Sequence, residues 1–321
     1  MNLSTRVGSI HFANPLILAS GNITETPRFF LKAKEFGCAA MVTRTLREHI
    51  SSERLKIPHP HLVVVDSHIV LNCESVNRRP WVDWRNRWAQ VVQDSGSPLI
   101  ISLSGRDITS CRNLIYSFDE LSVDAYEINI SCPHSGILRG DLNIDIEHLH
   151  KLLNCIRGIT KTPIWIKLSY SSLLIKMALE AEKLGADAIV CTNTIGPGLL
   201  LDIKTGKPKL GIKGGAGGVS GKAIFPIALW CVSQLSQSVR IPVIGVGGIY
   251  TAEDVIQMMM VGASAVQIYT RAVLGGPKIF KEIIDGLIKF LEEHPEFHRL
   301  SDIIDIFHKD NDYQSKREHY E

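Results

Sequence analysis

The sequence predicts an α/β fold of one kind, a single (β/α)8 TIM barrel. Short apolar runs alternate eight times with longer segments of helical period, and no low-complexity linker divides the 321 residues. Long segments after the second and sixth runs suit functional excursions at a barrel mouth. An open doubly wound sheet would use similar buried strands; the strand count and the two excursions favour closure. The expected division is a barrel over residues 1–293 and a polar tail over 294–321.

The elements follow in order. Asn14 to Gly21 reads as a buried strand ending in small residues, and residues 26–36 as its helix, with Gly37 to end it. Ala39 to Thr43 is the second strand. Residues 45–80 carry prolines and histidines without clean periodicity and read as the first excursion. A helix is expected at 81–94, a strand at Pro98 to Leu103, a helix at 108–119 and a strand at Ala125 to Ile130. A helix at about 144–158 leads to the fifth strand, Pro163 to Leu168. Residues 172–184 form the next helix, stopped by Gly185, before the sixth strand at Ala188 to Thr192. A glycine-rich excursion fills 195–221 and a helix covers 222–237. Pro242 to Val246 is strand seven, Thr251 caps a helix to Val261, Ala265 to Ile268 is strand eight, and 279–293 is helical.

Bulk properties narrow the function classes. A formal net charge of +2 gives no general electrostatic case for nucleic acid or membrane binding. No apolar run is long enough for a membrane span and the start lacks a signal-peptide pattern, so a cytoplasmic location is expected. The seven cysteines are scattered and match neither a disulfide framework nor metal-ligand spacing. His49, His59, His61 and His68 match no common metal site, so no metal is expected, and an iron–sulfur cluster, if used, sits on another polypeptide. Trp81, Trp84 and Trp88 fall at helical spacing and read as core or interface residues.

Barrel enzymes hold their chemistry after the C-terminal strand ends. Those positions here are small, polar and rich in amides, which suits a planar heteroaromatic ligand. Gly217 to Gly221, opening a helix, Gly245 to Gly248 and Tyr269 to Arg271 fit a phosphate site better together than as separate tight turns. Lys167 ends strand five behind an apolar stem and is read as holding an anion or a reduced cofactor's charge rather than as a snorkelling lysine. Cys132 lies in a proline-stiffened loop after strand four. Base, acid, nucleophile or packing thiol are its open roles, although a thiol with a pKa near ~8.5 serves proton transfer once tuned. Asn129 and Asn193 can pair with the imide edge of a pyrimidine, and Thr194 adds a hydroxyl.

Asn14-Pro-Leu-Ile-Leu-Ala-Ser-Gly21, Asn129-Ile-Ser-Cys-Pro133, Ile166-Lys-Leu168, Thr192-Asn-Thr194, Gly217-Gly-Val-Ser-Gly221, Pro242 to Ile249 and Gly262 to Thr270 together resemble the FMN-dependent dihydroorotate dehydrogenase family. They also resemble its relative, the pyrimidine-reducing domain of dihydropyrimidine dehydrogenase. The likeness spans about residues 3–290. It implies FMN, with phosphate on Gly221, Gly247, Gly248, Tyr269, Thr270 and Arg271, and Ala19, Ser20, Thr45, Asn129 and Lys167 as further cofactor contacts. It implies that Cys132 exchanges the C5 proton of the pyrimidine while hydride passes between C6 and flavin N5. Cysteine there looks like the soluble class.

Substrate contacts are implied for Arg44, Asn72, Glu74, Asn129, Ser131, Asn193 and Thr194. An electron-transfer subunit carrying flavin and an iron–sulfur cluster is a possible partner, as is a second copy of the chain. Two departures stand out. Thr43-Arg-Thr45 replaces the usual Thr-Lys-Thr, and arginine keeps the charge but not the shape. Asn72-Cys-Glu-Ser-Val-Asn77 resembles the dihydropyrimidine dehydrogenase pattern, and an ionised Glu74 would repel the carboxylate of orotate unless a cation such as Arg44 intervened. The expected function is oxidation of dihydroorotate to orotate in pyrimidine biosynthesis. The alternatives are action on a neutral pyrimidine, uracil or thymine, and a non-catalytic flavin-binding subunit.

Overall fold

The computed structural model describes residues 1–48, 59–74, 79–130 and 146–309. An antiparallel hairpin, β1 (Thr5–Val7) and β2 (Ile10–Phe12), precedes the barrel. β3 (Leu16–Leu18) and β4 (Ala40–Val42) begin it, and β5 (Leu62–Val64) and β6 (Ile69–Asn72) lie in the first excursion. β7 (Leu99–Ser104), β8 (Ala125–Asn129), β9 (Ile164–Leu168) and β10 (Ala188–Cys191) continue the barrel. β11 (Ile195–Leu199) and β12 (Ala216–Gly221) lie in the second excursion, and β13 (Val243–Val246) and β14 (Ala263–Ile268) complete the set. The closed order is β10-β13-β14-β3-β4-β7-β8-β9, all parallel, so the barrel expected from the sequence is the barrel observed.

Strands covered on both faces read as continuous apolar runs, and here the two faces do different work. One row, including Leu18, Met41, Ile101, Ile128 and Ile166, packs outward under the helices. The other row, including Ile17, Val42, Ile100, Trp165, Val190 and Ile244, fills the lumen together with Val7, Ile10 and Phe12 of the hairpin. The hairpin therefore contributes to the packing of the barrel interior.

The helices that cover the barrel are Arg28–Lys34, Ile108–Phe118, Ile146–Arg157, Leu174–Lys183, Phe225–Ser238, Ala252–Met260 and Ile279–Glu293. Thr251 caps Ala252–Met260 by accepting from Asp254 N–H, as its sequence position suggests. Trp84 and Trp88 are buried and Trp81 packs against the same core. Beyond Glu293, Leu300 and Ile303 are also buried, and Asp305 N–H donates to Met259 O.

The excursions hold order that the sequence did not reveal. β11, β12, β6 and β5 form an antiparallel sheet, with Gly218 opposite Asn72 and Ser220 opposite Val70. The glycine run 217–221 is therefore a strand first. A Cβ on Gly217 would lie 2.3 Å from Asn72 O, so glycine there permits close strand approach rather than a phosphate turn. The turn comes at Gly221, followed by a 3-10 segment, Lys222–Ile224, and then the helix Phe225–Ser238.

Candidate active site

Along three barrel strands the inward row changes from apolar to polar toward the C-terminal end. β8 runs Ala125, Glu127, Asn129; β9 runs Trp165, Lys167; β14 runs Ala265, Gln267. Period-two alternation places these side chains in the lumen. There Lys167 Nζ lies 3.3 Å from Glu127 Oε1 and 3.2 Å from Gln267 Oε1, and Gln267 Nε2 donates to Glu127 Oε2 at 2.6 Å. All three are buried, Glu127 completely.

Above this group runs a chain of neutral polar contacts. Asn193 Nδ2 donates to Asn129 Oδ1 at 3.3 Å, and Asn129 Nδ2 donates to Thr45 Oγ1 at 3.3 Å. The Thr45 hydroxyl is 3.3 Å from that of Ser20 and 3.0 Å from that of Ser102. The main-chain N–H of Thr194 donates to Asn193 Oδ1 at 2.8 Å. Residues from β3, β4, β7, β8 and β10 ends thus meet at one place.

An open cleft of about 530 Å³ adjoins them. Ala19, Ser20, Lys167, Asn193 and Thr194 line one part; Gly221, Gly247, Gly248, Tyr269, Thr270 and Arg271 line another. Gly247 and Gly248 have φ of +124° and +70°. A Cβ on Gly248 would lie 2.7 Å from Phe225 N, and one on Gly221 would lie 2.0 Å from His68 O, so glycine is required at both. Thr270 Oγ1 donates to Ser220 Oγ at 2.9 Å. Arg271 reaches Glu282 at 3.0 Å, yet its buried Nε has no hydrogen-bond partner among the described residues. A glycine-walled pocket with an orphaned guanidinium donor fits a bound phosphate.

A second cluster involves Glu74. Its carboxylate accepts from Asn22 Nδ2 and from the Tyr269 hydroxyl, while Asn22 N–H donates to the Tyr269 oxygen at 2.8 Å. Glu74 is therefore tied into the mouth and does not point to solvent. Burial, reinforced by the charge of Glu74, raises the Tyr269 phenol above its ordinary range, with the Asn22 N–H and Arg44 opposing. Arg44 is buried and pairs with Glu25 at 3.1 Å. Asn72 Nδ2 donates to Gly218 O at 3.3 Å, which fastens the first excursion to the second. Arg44, Thr45, Asn72, Glu74 and Asn129 lie off the cleft's lining and are joined to the mouth through these contacts. Ser131 and Cys132, expected in substrate binding and proton transfer, lie outside the described residues, as does His49.

Sequence reasoning missed Glu127, Gln267 and Asn22. For Glu127 and Gln267 a signal existed: each is a polar residue in a buried strand, at the parity that points inward. For Asn22 there was none, since its partners come from segments 52 and 247 positions away. Among the described residues no group of three His, Cys, Asp or Glu side chains could hold a metal ion, and no helix is long and apolar enough to cross a membrane.

A family model described as dihydroorotate dehydrogenase matches residues 2–291. The chain is 32% identical over 310 residues to the protein of Pyrococcus furiosus named dihydroorotate dehydrogenase B (NAD(+)), catalytic subunit, covering 96% of this chain and 100% of that one. It is 34% identical over 309 residues to the protein of the same name in Archaeoglobus fulgidus, covering 95% and 99%, and 33% identical over 306 residues to that of Thermoplasma acidophilum, covering 95% and 98%. With its closed barrel and polar C-terminal mouth, the chain belongs to the dihydroorotate dehydrogenase family of flavin-dependent oxidoreductases.

Proposed function

We propose that this protein binds FMN and oxidises dihydroorotate to orotate, with Cys132 taking the C5 proton. The observation that supports it best is the joining of two parts in one cleft: the glycine pocket with Arg271, suited to a phosphate, and the floor of Lys167 beside the Asn129–Asn193 pair. When bound, FMN supplies the acceptor for the hydride that leaves C6. Gly221, Gly247, Gly248, Thr270 and Arg271 hold its phosphate; the phenol of Tyr269 is committed to Asn22 and Glu74, which leaves its main chain for that role. Ala19, Ser20, Thr45, Asn129 and Lys167 hold the ring. Asn72, Asn129, Ser131, Asn193 and Thr194 orient the pyrimidine through donor and acceptor pairs. Removal of the C5 proton leaves an electron pair that forms the ring double bond as C6 gives up hydride, so thiolate Cys132 is the base the reaction needs. Relatives named as catalytic subunits support an electron-transfer partner, for which a subunit with flavin and an iron–sulfur cluster is the proposed form. A homodimer or a hetero-oligomer follows from the same reading.

Glu74 favours a second reading, action on a neutral pyrimidine. Its carboxylate stands in the mouth, and the nearby guanidinium of Arg44 already pairs with Glu25. One anaerobic titration separates the two. Protein carrying FMN should bleach near 450 nm, the usual flavin band, with dihydroorotate. Bleaching by dihydrouracil alone would transfer the proposal to the neutral substrate, and bleaching by neither would leave only a flavin-binding role.

A further inference from the structure

We propose that Glu127 and Gln267 are positioning residues for Lys167, and that Glu127 sets how much positive field reaches the ring of a bound flavin. The proposal rests on the flavin reading above. Glu127 is the deeper member of the β8 inward row, two residues below Asn129, and it is completely buried. Gln267 comes from β14, which is not hydrogen-bonded to either β8 or β9 in the barrel order. The three side chains therefore meet across the lumen and close a ring of contacts at 2.6, 3.2 and 3.3 Å.

The ring has a direction. Lys167 and Gln267 line the cleft, and Glu127 does not. The positive end of the pair thus faces the ligand and the negative end faces the apolar lumen of Trp165 and Ala265. Gln267 is a neutral clamp: its amide N–H₂ donates to the carboxylate while its carbonyl accepts from the ammonium, so its two ends fix the orientation of both ions. A lone buried lysine at a cleft floor would be both costly and free to swing; a paired one is held. The counter-charge also attenuates. A unit charge about 10 Å from a ligand, at an effective dielectric near ~20, changes a charged equilibrium by roughly tenfold or more.

The test uses purified protein reconstituted with FMN and sulfite, an anionic probe that adds to oxidised flavin and whose affinity rises with positive charge near the ring. Flavin absorbance gives the sulfite dissociation constant, and FMN affinity is measured separately by fluorescence. Glu127→Gln should bind sulfite about tenfold more tightly, because the ammonium loses its counter-charge. Gln267→Met keeps the ion pair but loses the clamp, and should bind sulfite several-fold more weakly. Lys167→Met should abolish most sulfite affinity and sets the scale. If Glu127→Gln fails to fold, Gln267→Glu takes its place: a second carboxylate should weaken sulfite binding about tenfold. Unchanged sulfite affinity in folded, FMN-loaded variants overturns the positioning role alone. A wild-type protein that takes up no FMN overturns the cofactor reading, and this one with it.

Discussion

Replacing Gly248 with alanine tests whether the glycines after β13 form a phosphate pocket. Gly248 has φ of +70°, a conformation that costs a residue with a Cβ about 1–2 kcal/mol. The added methyl would also lie 2.7 Å from Phe225 N and Cβ and 2.8 Å from its Cα. Those atoms begin the helix Phe225–Ser238 and cannot swing away as a side-chain tip can. Overpacking of this kind costs a further ~1–3 kcal/mol. If the chain relaxes, the start of the helix moves away from the cleft, and binding FMN requires it to move back. Half of the combined cost appearing in the binding step lowers FMN affinity by about tenfold, since ~1.4 kcal/mol is one decade. Fluorescence titration of apoprotein with FMN measures it, with urea unfolding run in parallel. Gly206→Ala is the control: φ there is +67°, but no atom lies within 4 Å of the added Cβ and the site is remote from the cleft lining. It should lose about 1 kcal/mol of stability and keep its FMN affinity. A folded Gly248→Ala protein that binds FMN as tightly as wild type would refute the phosphate assignment.

Three other outcomes are expected. Cys132→Ala should keep FMN but slow substrate-driven flavin reduction by orders of magnitude near neutral pH, and the wild-type rate should rise as pH approaches ~8.5, where a thiol ionises; reduction that is unchanged in the variant removes Cys132 from the chemistry. Tyr269→Phe leaves the buried Asn22 N–H without its acceptor and Glu74 without a donor, and should cost about 1–3 kcal/mol in urea unfolding; a midpoint like wild type would show that water replaces the phenol. Stability should fall above about pH 9. Burial pushes the thiols of Cys38 and Cys111 from 9.0 up to about 12 and the Tyr250 phenol from 10.0 up to about 12. Below the unfolded values both states hold these protons; above them the unfolded chain releases protons that the folded chain retains, so stability is lost as pH rises toward 12. Urea midpoints at pH 7.5 and 10 read this directly, and equal midpoints would contradict it.

The barrel was legible because its strands are apolar on both faces and its helices keep period. Val42, Ile101, Ile166 and Ile189 need only local sequence to declare buried strands, and Gly37 at φ +94° and Gly185 at φ +89° need only their own backbone to end helices. The antiparallel sheet over the mouth was not legible. β11 reads Ile-Gly-Pro-Gly-Leu and β12 reads Ala-Gly-Gly-Val-Ser-Gly, compositions that signal turns. What makes them strands is pairing with β6, more than a hundred positions away, where Gly217 admits the Asn72 carbonyl. Nothing local encodes that register.

The same division runs through the site. Lys167, Asn129, Asn193 and the strand-seven glycines could be placed because each follows a strand end, and strand ends are what the pattern locates. Their energetics could not, because each depends on a partner elsewhere. Lys167 read alone is a cation at the mouth; paired with Glu127 it is the exposed end of a buried dipole. Arg44 read alone is a cation free to meet a substrate carboxylate; paired with Glu25 it is already engaged. Glu74 read alone is a loop residue; held by Asn22 and Tyr269 it is a fixed negative charge. Two carboxylates, Glu25 and Glu74, thus share the mouth with one guanidinium. For orotate to bring a third carboxylate there, Arg44 must exchange partners or the main chain of the first excursion must supply donors. A neutral ring asks for neither. Substrate choice in this protein is therefore decided by what Arg44 gives up, and Glu25→Gln, which lowers that cost, should strengthen binding of dihydroorotate over dihydrouracil.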